Sequence, residues 1–315
     1  MNGRSMNGRS VSRLDAGLTL IEMMVALAAG MAVVLAAGHL LGLANTAWAA
    51  QAEAAAIDDG GRYALELMGR ALRQAAWRDP AQLEAAAAVP PALLAGLDAH
   101  SLSKTTAGID SPLPDAVNGS DVLAVRFPGA GAAPDGDGSV TSCAGFAVAD
   151  GEEGWSIFYV ARNGEGEAEL RCKYRGAANW SADAVVSGVD GFQVLYGLDT
   201  DSPRDRVPNR YLNAAAITAL DTALGLGVGT EEFHRRTHWK RVVSVRVGLL
   251  LHGARPTRHG GGTMAYTLLG ATYAASPAAD MDEGSTLDES AMPATVRDRE
   301  RRLFTTTVAL PSPMP

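Results

Sequence analysis

Hydrophobic positions crowd the N-terminal end of the chain. From Met23 to Ala52 thirty residues carry no formal charge apart from the titratable His39, which exceeds the ~20 residues needed to cross the hydrocarbon core of a bilayer. The apolar block opens at Leu18, so Glu22 is a single carboxylate four positions inside it. A charge at membrane depth is costly and is kept where it has a partner, which makes Glu22 a functional candidate. No proline interrupts the run until Pro80 and alanine is abundant, so one helix is expected from Leu18 to about Asp79, with Gly60-Gly61 as its weak point or kink. Leu65, Met68, Leu72 and Ala76 recur at helical spacing and describe an apolar face that should pack on a sheet.

After Pro80 the pattern dissolves into Ala, Pro and Gly until Asp121, which predicts a long surface connection. Strands are predicted at Val122 to Phe127, Trp155 to Ala161, Glu167 to Lys173, Ala184 to Tyr196, Trp239 to Leu251 and Phe304 to Leu310, all rich in Val, Leu or aromatic residues. In the fifth, Val243, Val245, Val247, Leu249 and Leu251 fall on one side, the period of a half-buried strand. The expected architecture is α+β: one domain, an antiparallel sheet on the long N-terminal helix, with large loops inserted. The segments are 1–17, a leader; 18–50, an apolar membrane-spanning half of the helix; 51–79, its amphipathic half; and 80–315, a β-rich globular part.

Charge gives the chain a direction. Arg4, Arg9 and Arg13 precede the apolar block against one Asp15, so the positive-inside rule keeps the amino end cytoplasmic and exports the rest. The first ten residues are an exact tandem copy, Met1-Asn2-Gly3-Arg4-Ser5 repeated from Met6, which places a second candidate start at Met6. The 315 residues carry a net charge of -8, and loss of residues 1–17 removes three arginines and one aspartate, leaving -10. Such an acidic balance gives no case for grasping nucleic acid. Arg235-Arg236 with Lys240-Arg241, and Arg297 to Arg302, read as solvated loop or strand-edge charges for want of interleaved aromatics.

Candidate chemistry is sparse. Cys143 and Cys172 are an even pair in the exported part, which favours a disulfide over a metal site that would want C-x-x-C ligands. Asp199, Asp201 and Asp205 could bind calcium, but counted from Asp199 the EF-hand glycine and glutamate positions hold Arg204 and Arg210, and a solvated acidic turn is the expectation. His234 and His238 lack the glutamate of H-E-x-x-H. Gly225, Gly227 and Gly229 have neither a strand before them nor dinucleotide spacing. No G-x-S-x-G elbow occurs. No catalytic residue, cofactor or metal is expected.

Gly17-Leu18-Thr19-Leu20-Ile21-Glu22 with Met23-Met24-Val25-Ala26-Leu27 resembles the class III signal of type IV pilins and pseudopilins, although Leu18 stands where that family most often has phenylalanine. The resemblance implies cleavage after Gly17 by a prepilin peptidase, N-methylation of Leu18, and a helix that lies first in the membrane and later in a filament core. There, Glu22 would neutralise a neighbouring subunit's terminal amine. The segment from Gly61 to Ala75, the cysteine pair, Tyr196-Gly197-Leu198-Asp199-Thr200-Asp201, the Trp239 strand and Arg301 to Leu310 resemble PilW-type minor pilins. They imply a non-enzymatic inner-membrane subunit with a periplasmic globular part, later at a pilus tip. Its implied partners are other minor pilins, the major pilin, an assembly platform, membrane lipid and a tip adhesin, and its implied roles are priming of assembly, motility and adhesion. Alternatives are a J-type pseudopilin of a type II secretion system and a signal-anchored periplasmic enzyme, which would want a pocket of perturbed titratable groups.

Overall fold

The computed structural model describes residues 17, 19–75, 89–176, 178–258 and 262–311. A single helix, α1 (Leu20–Ala75), crosses the boundary between two compact units, Met1–Gln51 and Ala52–Pro315. In the first unit every described helical residue from Leu20 to Trp48 is exposed, including Leu20 at 78%, Leu35 at 75% and Trp48 at 69%. A surface of that kind has no reason to remain in water, and by length and composition the helix can cross a membrane.

In the second unit the rest of α1 buries Ile57, Gly61, Ala64, Met68, Leu72 and Ala75, spaced three and four residues apart. The expected face is present with a small rotation: Leu65 is only partly buried, and Ala64 and Ala71 take part instead. Ala76 and the predicted helix end at Asp79 lie outside the described residues. The expected kink at Gly60-Gly61 is absent, because the α-helix runs on through both residues. Their role is close approach. A Cβ on Gly61 would sit 2.4 Å from the Phe304 ring and one on Gly60 2.8 Å from Val186, so side chains of two strands press directly on the helix backbone.

Among the described residues thirteen strands follow α1: β1 (Leu94–Leu97), β2 (Ser101–Leu102), β3 (Pro112–Leu113), β4 (Val122–Pro128), β5 (Glu153–Arg162), β6 (Ala168–Arg175), β7 (Trp180–Ser187), β8 (Val189–Leu198), β9 (Arg210–Leu212), β10 (Val242–Pro256), β11 (Ala265–Thr267), β12 (Thr286–Asp288) and β13 (Arg299–Ala309). They form a five-stranded sheet, β1-β4-β5-β6-β7, a four-stranded sheet, β13-β10-β8-β9, and two small ribbons, β11-β12 and β2-β3. Every pairing is antiparallel. The predicted α+β class is therefore present, with two principal sheets where one was expected.

The difference originates at Gly188. The apolar stretch Ala184 to Tyr196 is not one strand; β7 ends one sheet and β8 begins the other, with Gly188 between them at φ +76°. Its N–H donates to Ala168 and its carbonyl accepts from His252 N, and a Cβ there would lie 2.4 Å from the His252 carbonyl. Only glycine meets both demands cheaply.

One core unites Met68 and Leu72 of α1 with Leu123 and Val125 of β4, Phe158 and Val160 of β5, Phe192 and Val194 of β8, and Val245, Val247 and Leu249 of β10. Burying each such side chain contributes roughly 1.5–3 kcal/mol. The five-stranded sheet is also covered on its other face, where Val122, Trp155, Ile157 and Tyr159 pack with Leu102. This corrects the expected surface connection from Pro80 to Asp121 over its described part, residues 89–121, which supplies the edge strand β1 and part of a second small core, in strands too short to show a period; residues 80–88 lie outside the described residues. β10 is corrected too. It starts at Val242, after a 3-10 turn at His238–Arg241 that takes in Trp239, and it is buried on both faces, since Gly248 lies against Leu268 and Leu250 is fully buried.

Candidate assembly site

At the start of α1 two side chains close on each other. Thr19 is the residue before the helix, and its carbonyl accepts the Met23 N–H at 3.1 Å. Glu22 N donates to Thr19 Oγ1 at 3.3 Å, while Glu22 Oε2 accepts from Thr19 N at 2.9 Å and from Thr19 Oγ1 at 3.0 Å. This is a capping box, in which the residue at the N-cap and the acidic residue three positions on satisfy each other's orphan donors. Glu22 thus has an intramolecular partner in addition to any it meets in another subunit. The threonine-x-x-glutamate spacing carries that signal, which the expectation of a terminal amine left out. Gly17 is exposed with open space around its Cα, and Leu18 lies outside the described residues.

The expected disulfide is formed. Cys143 and Cys172 join at 1.95 Å with Cα atoms 6.0 Å apart, tying the connection between β4 and β5 to β6. Gln74, near the end of α1, holds the same connection through both ends of its amide, donating to Thr141 O at 2.9 Å and accepting from Thr141 N at 3.3 Å.

Among the described residues, Asp199, Asp201 and Asp205 are the one group of three or more metal-type side chains whose ligand atoms fall within 4.8 Å of one another. Their oxygens face the loop's own donors. Asp199 accepts Asp201 N at 3.1 Å and Arg206 N at 2.7 Å, Asp205 accepts Val207 N at 2.8 Å, and Asp201 accepts Asn209 Nδ2 at 3.0 Å. The cluster shapes a turn, but not the wholly solvated one expected: Asp201 and Asp205 are exposed, whereas Asp199 is fully buried. His238 is held by Asp221 at 2.7 Å, with Thr237 Oγ1 on the same carboxylate, and His234 stacks edge-on with Phe233. Gly225, Gly227 and Gly229 link two helices, α2 (Ala214–Thr222) and α3 (Glu231–Arg236), with no strand before them.

The basic run Arg297 to Arg302 is not a solvated edge. Arg301 is fully buried and pairs with Asp190 at 2.7 Å and Glu289 at 3.4 Å. Arg299 pairs with Glu167 at 3.1 Å, Arg302 with Asp58 at 2.5 Å, and Arg297 donates to the carbonyls of Met292 and Ser290. Glu289 also takes both guanidinium branches of Arg258, at 2.8 and 2.6 Å, with Met264 N and the Tyr266 hydroxyl. Burial alone would raise its carboxyl, but those donors bring it down to about 2. His252 stands between Glu167 at 2.6 Å and Asp190 at 3.0 Å. The β-alternation of Arg299 and Arg301 was a usable signal; their partners, more than a hundred residues away at Glu167 and Asp190, were not. The other basic set meets the expectation in part: Arg235 and Arg236 are exposed on α3 and pair with Glu231 and Glu232, whereas Lys240 donates to Pro90 O at 2.6 Å.

A second buried acidic group pins the strands. Asp121 accepts Val194 N at 2.8 Å and Ala99 N at 3.1 Å, and Asp98 accepts Ala214 N at 2.9 Å and Ala215 N at 2.7 Å at the start of α2. Burial pushes Asp121 well above the usual carboxylate range, and the neighbouring charge of Asp98 adds to it. These contacts hold backbone in place and form no nucleophile–base pair.

Among curated proteins none matches this chain. Among solved structures the chain is similar to a type IV-like pilin of Thermus thermophilus, with 13% identity, a TM-score of 0.39, and coverage of 80% of this chain and 96% of that one. Residues 157–312, from β5 through the end of β13, match the family model of Type IV Pilus-assembly protein W. That region belongs to the PilW family of type IV pilus-assembly proteins.

Proposed function

We propose that this chain is a minor pilin of a type IV pilus, a structural subunit without catalytic chemistry of its own. A prepilin peptidase cuts between Gly17 and Leu18 and methylates the new terminus. Residues 18–50 then anchor the subunit in the inner membrane with residues 80–315 in the periplasm. Incorporation draws the apolar helix out of lipid into a helix bundle, where it joins other minor pilins, the major pilin and a tip adhesin in a complex that primes assembly and serves motility or adhesion.

The observation that carries this proposal is the start of α1: an exposed apolar stretch, Leu20 to Trp48, whose one carboxylate, Glu22, sits in the first turn of the helix, in a chain whose residues 157–312 match the PilW family. A terminal amine on Leu18 would lie four residues from that carboxylate in its own chain and could reach the Glu22 of another. Opposite full charges in a low-dielectric bundle attract strongly enough to set register.

The test is the mass of the N-terminal peptide of protein isolated from native membranes, with and without an active prepilin peptidase. A peptide beginning at N-methyl-Leu18 only when the peptidase is active supports the proposal. An uncut terminus, or a cut elsewhere in both strains, overturns it.

A further inference from the structure

We propose that His252 is a proton-operated latch between the two principal sheets: with its proton it holds the turn between β5 and β6 on β10, and without it the turn is released. One atom, Nε2, has two partners with opposite needs. It lies 2.6 Å from Glu167 Oε1 and 2.8 Å from Arg299 Nη1, each in hydrogen-bond geometry. A ring nitrogen either carries a hydrogen and donates, as a carboxylate requires, or offers its lone pair and accepts, as a guanidinium requires. The two partners therefore belong to two protonation states. In the charged ring Nε2 donates to Glu167, while Nδ1 faces Asp190 Oδ1 at 3.0 Å, an ion pair without hydrogen-bond alignment. In the ring with a bare Nε2, Arg299 donates to it and Glu167 Oε1 meets a lone pair at 2.6 Å, which repels.

Glu167 is the partner able to leave: its side chain is 33% exposed, against 5% for His252 and 8% for Asp190. Among the described residues, the charged groups facing the ring are Glu167 from the β5–β6 turn, Asp190 from β8, and Arg299 and Arg301 from β13, with Arg301 shared between Asp190 and Glu289. Two carboxylates against two guanidinium groups leave little net field, so the bonding at Nε2 decides. Glu53 and Asp58 of α1 reach the same strands but hold Arg255 N and Arg302. Arg162 and Asp288, which line a cavity of about 420 Å³ beside the ring, hold Gly166 O and Ser290 N. The backbone nearby does not depend on the proton: Gly188 bonds Ala168 and His252 whatever the state of the ring, so the sheets stay joined. What the proton controls is the turn from Asn163 to Glu167, closed by Asn163 N on Glu167 O at 2.9 Å, whose Gly166 and Glu167 form one wall of that cavity.

The latch does not rest on the pilus proposal, because it is read on the isolated full chain in detergent. Amide hydrogen exchange, corrected for the intrinsic effect of pH, is followed between about pH 5 and pH 8, the range in which histidine side chains commonly change charge. The readout is protection of residues 163–168, with β4 as internal reference. Protection of the turn should fall at least about tenfold as pH rises, with β4 unchanged. His252→Gln should abolish that dependence. Glu167→Gln should abolish it with the turn still protected at the alkaline end, since an amide accepts from a protonated Nε2 and donates to a bare one; a merely structural loss would lower protection instead. His234→Gln should behave as wild type. Should His252→Gln fail to fold, Glu167→Gln decides alone. No pH dependence in the wild-type turn, an unchanged dependence in His252→Gln or Glu167→Gln, protection lost at the alkaline end in Glu167→Gln, or loss of the dependence in His234→Gln would each overturn the proposal.

Discussion

Glu22 and Gly61 show how much one position can hold. Both oxygen contacts of Glu22 come from Thr19, a neutral residue, so the carboxylate is satisfied in the isolated chain without being neutralised. On the proposed assembly, Glu22→Ala leaves export and cleavage intact and reduces incorporation into pili. Shear fractions compared with whole-cell protein read this directly, and wild-type incorporation would contradict the role. Gly61 is a packing residue. With a Cβ placed 2.4 Å from Phe304, Gly61→Val overpacks the contact between helix and strand and should cost about 1–3 kcal/mol, seen as a lower urea midpoint. Shortening the ring in Gly61→Val/Phe304→Leu should recover part of the loss. The sequence exposed both glycines as special, but helix pattern alone cannot distinguish a bend from a close approach, because the residue that makes the approach lies far along the chain.

Elements that announce themselves by period are found where expected: α1, β4, β5, β6 and β13 begin or end within a few residues of their predicted bounds. What the pattern hid was partition. Nothing in Ala184 to Tyr196 distinguishes a long strand from two strands in different sheets except the glycine between them, and β1 to β3 are too short to carry a signal. Two contacts between elements invite measurement. The disulfide closes a loop with a sequence separation of 29 residues; opening it by Cys143→Ser/Cys172→Ser should cost about 3–4 kcal/mol through regained unfolded-state entropy, measured as the difference in urea unfolding from the oxidised chain. Arg301 is the more sensitive site. Its removal leaves Asp190 and Glu289 buried with less compensating charge, so Arg301→Ala should lose about 3–5 kcal/mol, whereas an unchanged midpoint would mean that the network is dispensable. The arginine was visible in the sequence as a charge and was misplaced as solvated, since burial of a charge depends on partners that only folding brings near.

For the whole molecule, the buried carboxylates give stability a pH dependence of unusual sign. Asp121, Asp98 and Asp282 are all raised, first by burial. A carboxyl whose folded pKa lies above its unfolded value binds its proton more tightly when folded. Its contribution is therefore fully present below the ordinary value of 3.8 and is lost as pH rises through the raised one. Glu289, brought down to about 2, acts in the opposite direction: its contribution is present above the ordinary 4.5 and is lost as pH falls towards 2. Asp121→Asn should flatten the decline in stability on the alkaline side of 3.8 while leaving the acid limb set by Glu289. Urea midpoints collected across pH would show the change in slope, and parallel curves for wild type and variant would refute it.

The capping box at Thr19 and Glu22 also bears on which subunits can be admitted to a filament. A carboxylate that already holds two neutral donors gains little from exchanging them for another neutral group. Only a full positive charge repays the exchange. On the proposed processing, a mature neighbour would offer one on its first residue, whereas an uncut neighbour would have its leader in that place. On the proposed assembly, the self-satisfied glutamate works as a proofreading contact: it ignores immature subunits and changes partner for mature ones.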